Sequence, residues 1–188
     1  RTHSKWCVVD DTIFSFGGVN LYDQALENTD YMFRLTDHEL ANRLVKEQRR
    51  IVASDKARSS YRSHSFQLDD ASTVLFDAGF FGDSIIYKRA CELAAESAHI
   101  TLISQYCPTG KLNRLLKQTD STVYFNQWQQ ASGFNRFVIR LGMFLTGQSS
   151  KYTRTAYLHA KCIIFTLKDG SKAAITGSNN FVHGGVLL

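Results

Sequence analysis

An α/β fold, a mixed β-sheet flanked by helices, is what this sequence predicts, and three observations lead to it. Short strand-type runs alternate with segments of helical period along the 188 residues. One phrase (a histidine, one residue, a lysine, then an apolar run) stands near each end, as "HSKWCVV" from His3 and "HAKCIIF" from His159. The composition, 44% hydrophobic and 21% charged with a single proline, belongs to a chain with a core to bury rather than to a disordered one.

Taken in order, "KWCVVDDTIFSFGG" holds two apolar runs around Asp10-Asp11 and predicts a hairpin. A strand is expected at Tyr31 to Leu35. The next segment places Leu40, Leu44 and Val45 at helical spacing behind a cap at Thr36 or Asp37. "STVLFDAG" reads as a strand running into a glycine turn. "DSIIYKRACELAAESA" reads as a helix whose stripe is Ile85, Ile86, Ala90, Leu93 and Ala94. A buried strand "HITLISQY", a short helix "TGKLNRLLKQT" and a strand "STVYFN" follow. "FNRFVIRLGMFLTG" sets Phe134, Phe137, Val138, Leu141, Phe144 and Leu145 on one helical face, expected to pack on the sheet, with an interfacial helix on lipid as the alternative. The last segment is two strands around the Lys168–Ser171 turn.

Cys7, Cys91, Cys107 and Cys162 include no C-x-x-C pair, which argues against a zinc ribbon or a thioredoxin-type motif; Cys7 and Cys162 lie in apolar runs and are expected to be buried, inert thiols. No run approaches the ~20 apolar residues of a membrane-spanning helix. A formal charge of +5 suits an anionic partner, phospholipid headgroups or nucleic acid alike. The chain opens on Arg1 inside a motif, so it reads as a fragment truncated at both ends.

The two end segments extend further in parallel. The first runs His3-x-Lys5, strand, acidic turn, strand, Gly17-Gly18-x-Asn20. The second runs His159-x-Lys161, strand, turn, strand, Gly177-Ser178-x-Asn180. Residues two apart on a strand share a face, so each histidine stands beside its lysine. The small-residue turn brings the asparagine close to both. Each copy offers one proton donor or nucleophile, one cation and one amide. Two copies suit a phosphodiester: lysines and amides hold the non-bridging oxygens, one histidine attacks phosphorus and the other protonates the leaving alcohol. That chemistry calls for no metal and no cofactor. His38, His64 and His99 are expected in ordinary helix, loop or strand positions. His183 is either a loop residue or part of the mouth of the site.

At these residues the chain resembles the phospholipase D superfamily, whose signature is H-x-K-x4-D followed by G-[GS]-x-N. His3, Lys5, Asp10, Gly17, Gly18 and Asn20 match in the first copy, and His159, Lys161, Gly177, Ser178 and Asn180 in the second, where Thr166 replaces the acidic residue. The resemblance implies two halves, 1–70 and 71–188, in a pseudo-twofold arrangement that builds one site. It implies a phosphohistidine intermediate, with His3 as nucleophile and His159 as general acid. It also implies a supporting carboxylate for each imidazole: Asp30 for His3, and for His159 a residue beyond Leu188, which would leave His159 poorly held. "GGVNLYD…TDYMFRL" and "SAHITLISQYCPTGKLNRLLKQ" resemble the cardiolipin synthase branch. The expected partners are therefore a phospholipid, an acceptor alcohol and a membrane surface, at the cytoplasmic membrane of a bacterium. A metal-independent nuclease of the same superfamily and a catalytically dead phosphate-binding module remain the alternatives.

Overall fold

The computed structural model describes residues 5–15, 17–20, 22–55, 61–78 and 84–182. The predicted first hairpin forms: β1 (Trp6–Val9) pairs antiparallel with β2 (Thr12–Ser15) across Asp10, whose φ of 52° closes the tight turn. Strand β3 (Phe33–Thr36) adds to β2, giving the order β1-β2-β3. Helix α1 (His38–Asp55) follows at once, and its start is fixed by Asp37, whose carboxylate accepts the Leu40 N–H at 2.7 Å. It buries Leu40, Ala41 and Leu44 against Ile13 and Phe76. Val45, expected on that stripe, is exposed because it lies one helical step off the face centred on those three residues.

Phe76 belongs to a second hairpin, β4 (His64–Gln67) with β5 (Thr73–Phe76), so the core begun by β2 runs on past residue 70. His64 opens β4 half-buried, rather than standing on a free surface. It pairs with the buried Glu47 carboxylate at 3.1 Å and stacks on Phe76.

The larger sheet has the order β7-β6-β8-β9 and is mixed, as expected. Strand β6 (Ser97–Ile103) runs parallel to β7 (Asp120–Tyr124) and antiparallel to β8 (Cys162–Leu167), which pairs antiparallel with β9 (Lys172–Thr176). One face is covered by α2 (Ile85–Ala95) and α3 (Gly110–Gln118): Tyr87, Ala90, Cys91 and Ala94, with Leu112 and Leu116, close over Ile100, Leu102, Val123, Ile163 and Phe165. The buried stripe of α2 is thus rotated from the expected one, with Tyr87 and Cys91 inward and Ile86 and Leu93 at its margin. Tyr87 can turn inward because its hydroxyl donates to the Thr109 carbonyl at 2.7 Å.

Two expectations fail here. Helix α4 (Gly133–Thr146) forms, but the face expected to pack on the sheet does not pack: Phe134 is 70% exposed, Phe144 83% and Leu145 71%, while Ile139 and Thr146 are buried on the opposite side. Cys7 is exposed, because β1 is an edge strand in its sheet and Cys7 alternates away from the face that carries Trp6 and Val8. Cys162 is half-buried, and burial pushes its thiol pKa up, away from reactivity.

Candidate functional site

The site grows from a short joint between the two ends of the chain. After β2 the backbone passes Gly17-Gly18, makes a single 3-10 turn at Asp23–Glu27, and reaches Thr29 in extended form. There it lies parallel to Leu158. The Thr29 N–H donates to the Tyr157 carbonyl at 2.8 Å, and its carbonyl accepts from His159 N at 2.9 Å and Ala160 N at 3.0 Å. Three backbone bonds therefore fix the stretch before β3 against the stretch before β8.

This joint sets Asp30 beside His159. The Asp30 carboxylate accepts the His159 Nδ1–H at 2.8 Å, with both side chains nearly buried. A carboxylate on Nδ1 fixes the tautomer and the plane of the ring and leaves Nε2 for chemistry. The expectation that His159 must find its carboxylate beyond Leu188 is corrected here, and the one that pairs Asp30 with His3 rests on a residue outside the described ones. His159 is firmly held, by a residue from the other end of the chain.

Lys161 lies two residues on, and only 2% of it is exposed. Its ammonium donates to the His159 carbonyl. Burial lowers its pKa to about 7; Asp30 opposes that shift, and Lys5 adds to it by like-charge repulsion. Lys5, half-buried at the start of β1, is lowered for the same first reason, again against the pull of Asp30. Two lysines and an imidazole thus gather around one carboxylate, a pocket short of negative charge.

Gly18 explains how the hairpins come this close. A Cβ there would sit 2.4 Å from the His159 carbonyl oxygen, 2.8 Å from Asp30 Oδ2 and 2.9 Å from Lys161 Nζ, so only a glycine fits. Asn20 and Ser178 are half-buried on the loops after β2 and β9. Asn180 is anchored through its carbonyl, which accepts from Ser104 Oγ at 2.9 Å. Its side-chain oxygen is buried without a partner among the described residues. The unspent group is thus the amide oxygen, an acceptor.

Asp10 is not part of this group. It lies in the exposed turn at the far end of β1, five residues from Lys5, or roughly 16 Å of strand. Thr166 stands in the matching place near the far end of β8. His3 and His183 lie outside the described residues. His38 is exposed and bonds Asp11 at 2.7 Å, and His99 bonds Asp120 at 2.8 Å; neither approaches the site.

The sequence reading missed three supports. Tyr31 donates its hydroxyl to the Lys161 carbonyl at 2.6 Å and also pairs with Thr176. Thr29 makes the joint itself. Asn126, fully buried, donates to the Leu158 carbonyl at 2.6 Å and accepts the Leu158 N–H at 2.7 Å, clamping the residue before His159. The available signal for Asn126 was a polar residue closing an apolar strand run. Tyr31 and Thr29 carried no pattern of their own.

Among the described residues no cluster of three or more His, Cys, Asp or Glu is placed to hold a metal ion. Comparison with protein-family models, with curated proteins and with solved structures gave no match.

Proposed function

We propose that this chain carries the catalytic site of a phospholipase D-type phosphodiesterase that transfers a phosphatidyl group, with a phospholipid as donor and water or an alcohol as acceptor. One observation carries the reading: His159 and Lys161 of the second phrase are packed against Asp30, Gly18 and Lys5, which belong to or follow the first. Two phrases more than 150 residues apart in sequence serve one pocket, as a pseudo-twofold pairing of two halves requires.

The steps follow from the groups. The phosphodiester enters with its non-bridging oxygens toward Lys5 and Lys161, restoring the full charge of a lysine whose burial has weakened it. The His3 imidazole attacks phosphorus, forming a P–N bond as the P–O bond to the leaving alcohol breaks. That alcohol takes the proton from Nε2 of His159. Water or the acceptor alcohol then gives its proton back to Nε2 and attacks phosphorus, and the P–N bond breaks to release His3. Asp30 holds the His159 ring in line through both transfers. Asn20 and Asn180 contribute amide donors to the same oxygens.

The test is incubation with phosphatidylglycerol vesicles plus glycerol in one tube and single-stranded DNA in another, both in chelator. Lipid exchange or hydrolysis without DNA cleavage supports the reading. DNA cleavage alone makes the chain a nuclease using the same residues, and silence in both makes it a phosphate-binding module. His159→Asn should lower turnover by about 10²–10⁴-fold. Asp30→Asn should lower it by about 10–100-fold and alter the pH profile, because it disturbs the imidazole without removing it.

A further inference from the structure

Helix α4 is amphipathic the wrong way round for a helix that ends its folding on the sheet. At 100° per residue, Phe134, Phe137, Val138, Leu141, Phe144 and Leu145 share one arc of about 120°. Five of the six are exposed, and Val138 lies at the edge of the packed side. The inward side is already occupied by Ile139 and Thr146, with Val138 and Met143 at its margin. Gly147, in the left-handed conformation at φ 62°, closes the helix by donating to the Met143 carbonyl at 2.9 Å. The apolar arc is therefore presented on a finished helix and needs no refolding to be used. It amounts to three phenylalanines and two leucines that the described residues leave exposed to water, well beyond the scattered apolar residues of an ordinary surface.

Charge decides the occupant. No acidic residue occurs between Asp120 and Asp169, whereas Arg136, Arg140, Lys151 and Arg154 all lie in that stretch and are exposed. The Arg140 guanidinium sits 5.7 Å above the ring of the half-exposed Trp128, beside the arc. Aromatic and aliphatic side chains bordered by arginines, on a 14-residue helix too short to span a bilayer, match the plane between lipid headgroups and acyl chains. The helix also borders the site. Its inner side packs with Tyr157 and Val182, two residues before His159 and two after Asn180.

We infer that the Phe134–Leu145 face of α4 docks on an anionic phospholipid surface, and so brings the mouth of the His159 site to the headgroup plane. The inference deepens the lipid reading of that site, on which it rests for its purpose. Docking and chemistry are nevertheless measured separately.

The experiment is flotation with vesicles of phosphatidylglycerol and phosphatidylcholine, and with phosphatidylcholine alone, for the protein and for Phe137→Glu/Phe144→Glu. The protein should float with the anionic vesicles and at least tenfold less with neutral ones, with binding weakened by salt. The double variant should lose at least tenfold in vesicle affinity while keeping its melting temperature and its turnover of a soluble aryl phosphodiester. Failure of the protein to float with anionic vesicles, or equal flotation of the variant, overturns the inference. So does a protein that sediments as a dimer, does not float, and becomes a monomer in the variant, since the face is then a contact between copies. Flotation without diester turnover would sink the catalytic reading and leave the docking face standing.

Discussion

The β1–β2 and β8–β9 hairpins open on the same phrase and are packed very differently. Strand β8 runs inside a four-stranded sheet, with Ile163 and Phe165 fully buried beneath α2 and α3. Strand β1 is the edge of a three-stranded sheet, with Cys7 and Val9 exposed and a core that reaches it through Trp6 and Val8 alone. Yet the two hairpins agree where each begins and where the loop after its second strand turns: Lys5 with Gly17-Gly18, and Lys161 with Gly177-Ser178. They differ at their far turns, two residues in one and four in the other. On the proposed function, chemistry constrains the near ends of the hairpins, and ordinary packing sets the rest. The second hairpin is the more deeply packed of the two; the first is joined to it through Thr29 and Asp30.

The largest expected effect comes from the point of closest approach. Gly18→Ala drives a methyl group into the His159 backbone and the Asp30 carboxylate, and backbone cannot step aside as a long side chain can. The variant should lose at least about 100-fold in diester turnover and about 1–3 kcal/mol of stability from overpacking. The companion Gly170→Ala, in the far turn of β8–β9, has φ 87° and open space around it. It should show only the strain of a left-handed non-glycine, about 1–2 kcal/mol, with turnover intact. Activity assays with thermal melts separate the two. Retained activity in Gly18→Ala would mean the hairpins do not meet as described.

A smaller effect distinguishes the two lysines. Lys161 has a pKa of about 7 in the fold, against 10.5 for an ordinary lysine. Between those values the unfolded chain binds a proton that the folded chain lacks, so stability rises with pH across that window. The contribution is full above 10.5 and is lost as pH falls through 7. Melting temperature should therefore climb from pH 7 to pH 9, and Lys161→Met should flatten the climb. Lys5→Met should flatten it less, since Lys5 is only half-buried. Inorganic phosphate in the site favours the charged lysine, so its stabilising effect should be greater at pH 6 than at pH 9. Equal effects at both would place the anion elsewhere.

The contrast also explains what the sequence could disclose. Every strand and helix read from alternation or helical period formed, from the Asp10 hairpin to α4, because local patterning determines those elements. The pairing of the two phrases was visible because the same residue types recur at the same offsets. Two things were not visible. The Asp30–His159 bond joins residues 129 apart, and no local period records which imidazole a carboxylate will reach. The exposure of α4 was hidden because an apolar stripe looks alike whether it faces a sheet or something outside the chain; Phe137 belonged to that stripe, and Ile139, the residue that is buried, did not.

The smallest effect expected is at the far turns, where the two hairpins depart most. If the acidic position served the reaction, Thr166→Asp should raise turnover and Asp10→Thr should abolish it. The geometry argues otherwise, since both positions lie a strand's length from the lysines. Thr166 is half-buried with Lys172 opposite it on β9 and His99 opposite it on β6. A carboxylate there gains a cross-strand partner, worth about 0.2–1 kcal/mol, and loses hydration of similar size. Thr166→Asp should therefore change stability by less than about 1 kcal/mol and turnover by less than twofold. Asp10 holds a left-handed turn at φ 52°, which aspartate tolerates and a β-branched residue does not. Asp10→Thr should cost about 1–2 kcal/mol in a chemical melt while activity per folded molecule stays unchanged. A tenfold loss of activity in fully folded Asp10→Thr would show that the far turn reaches the chemistry after all, and the division between near and far ends would have to be given up.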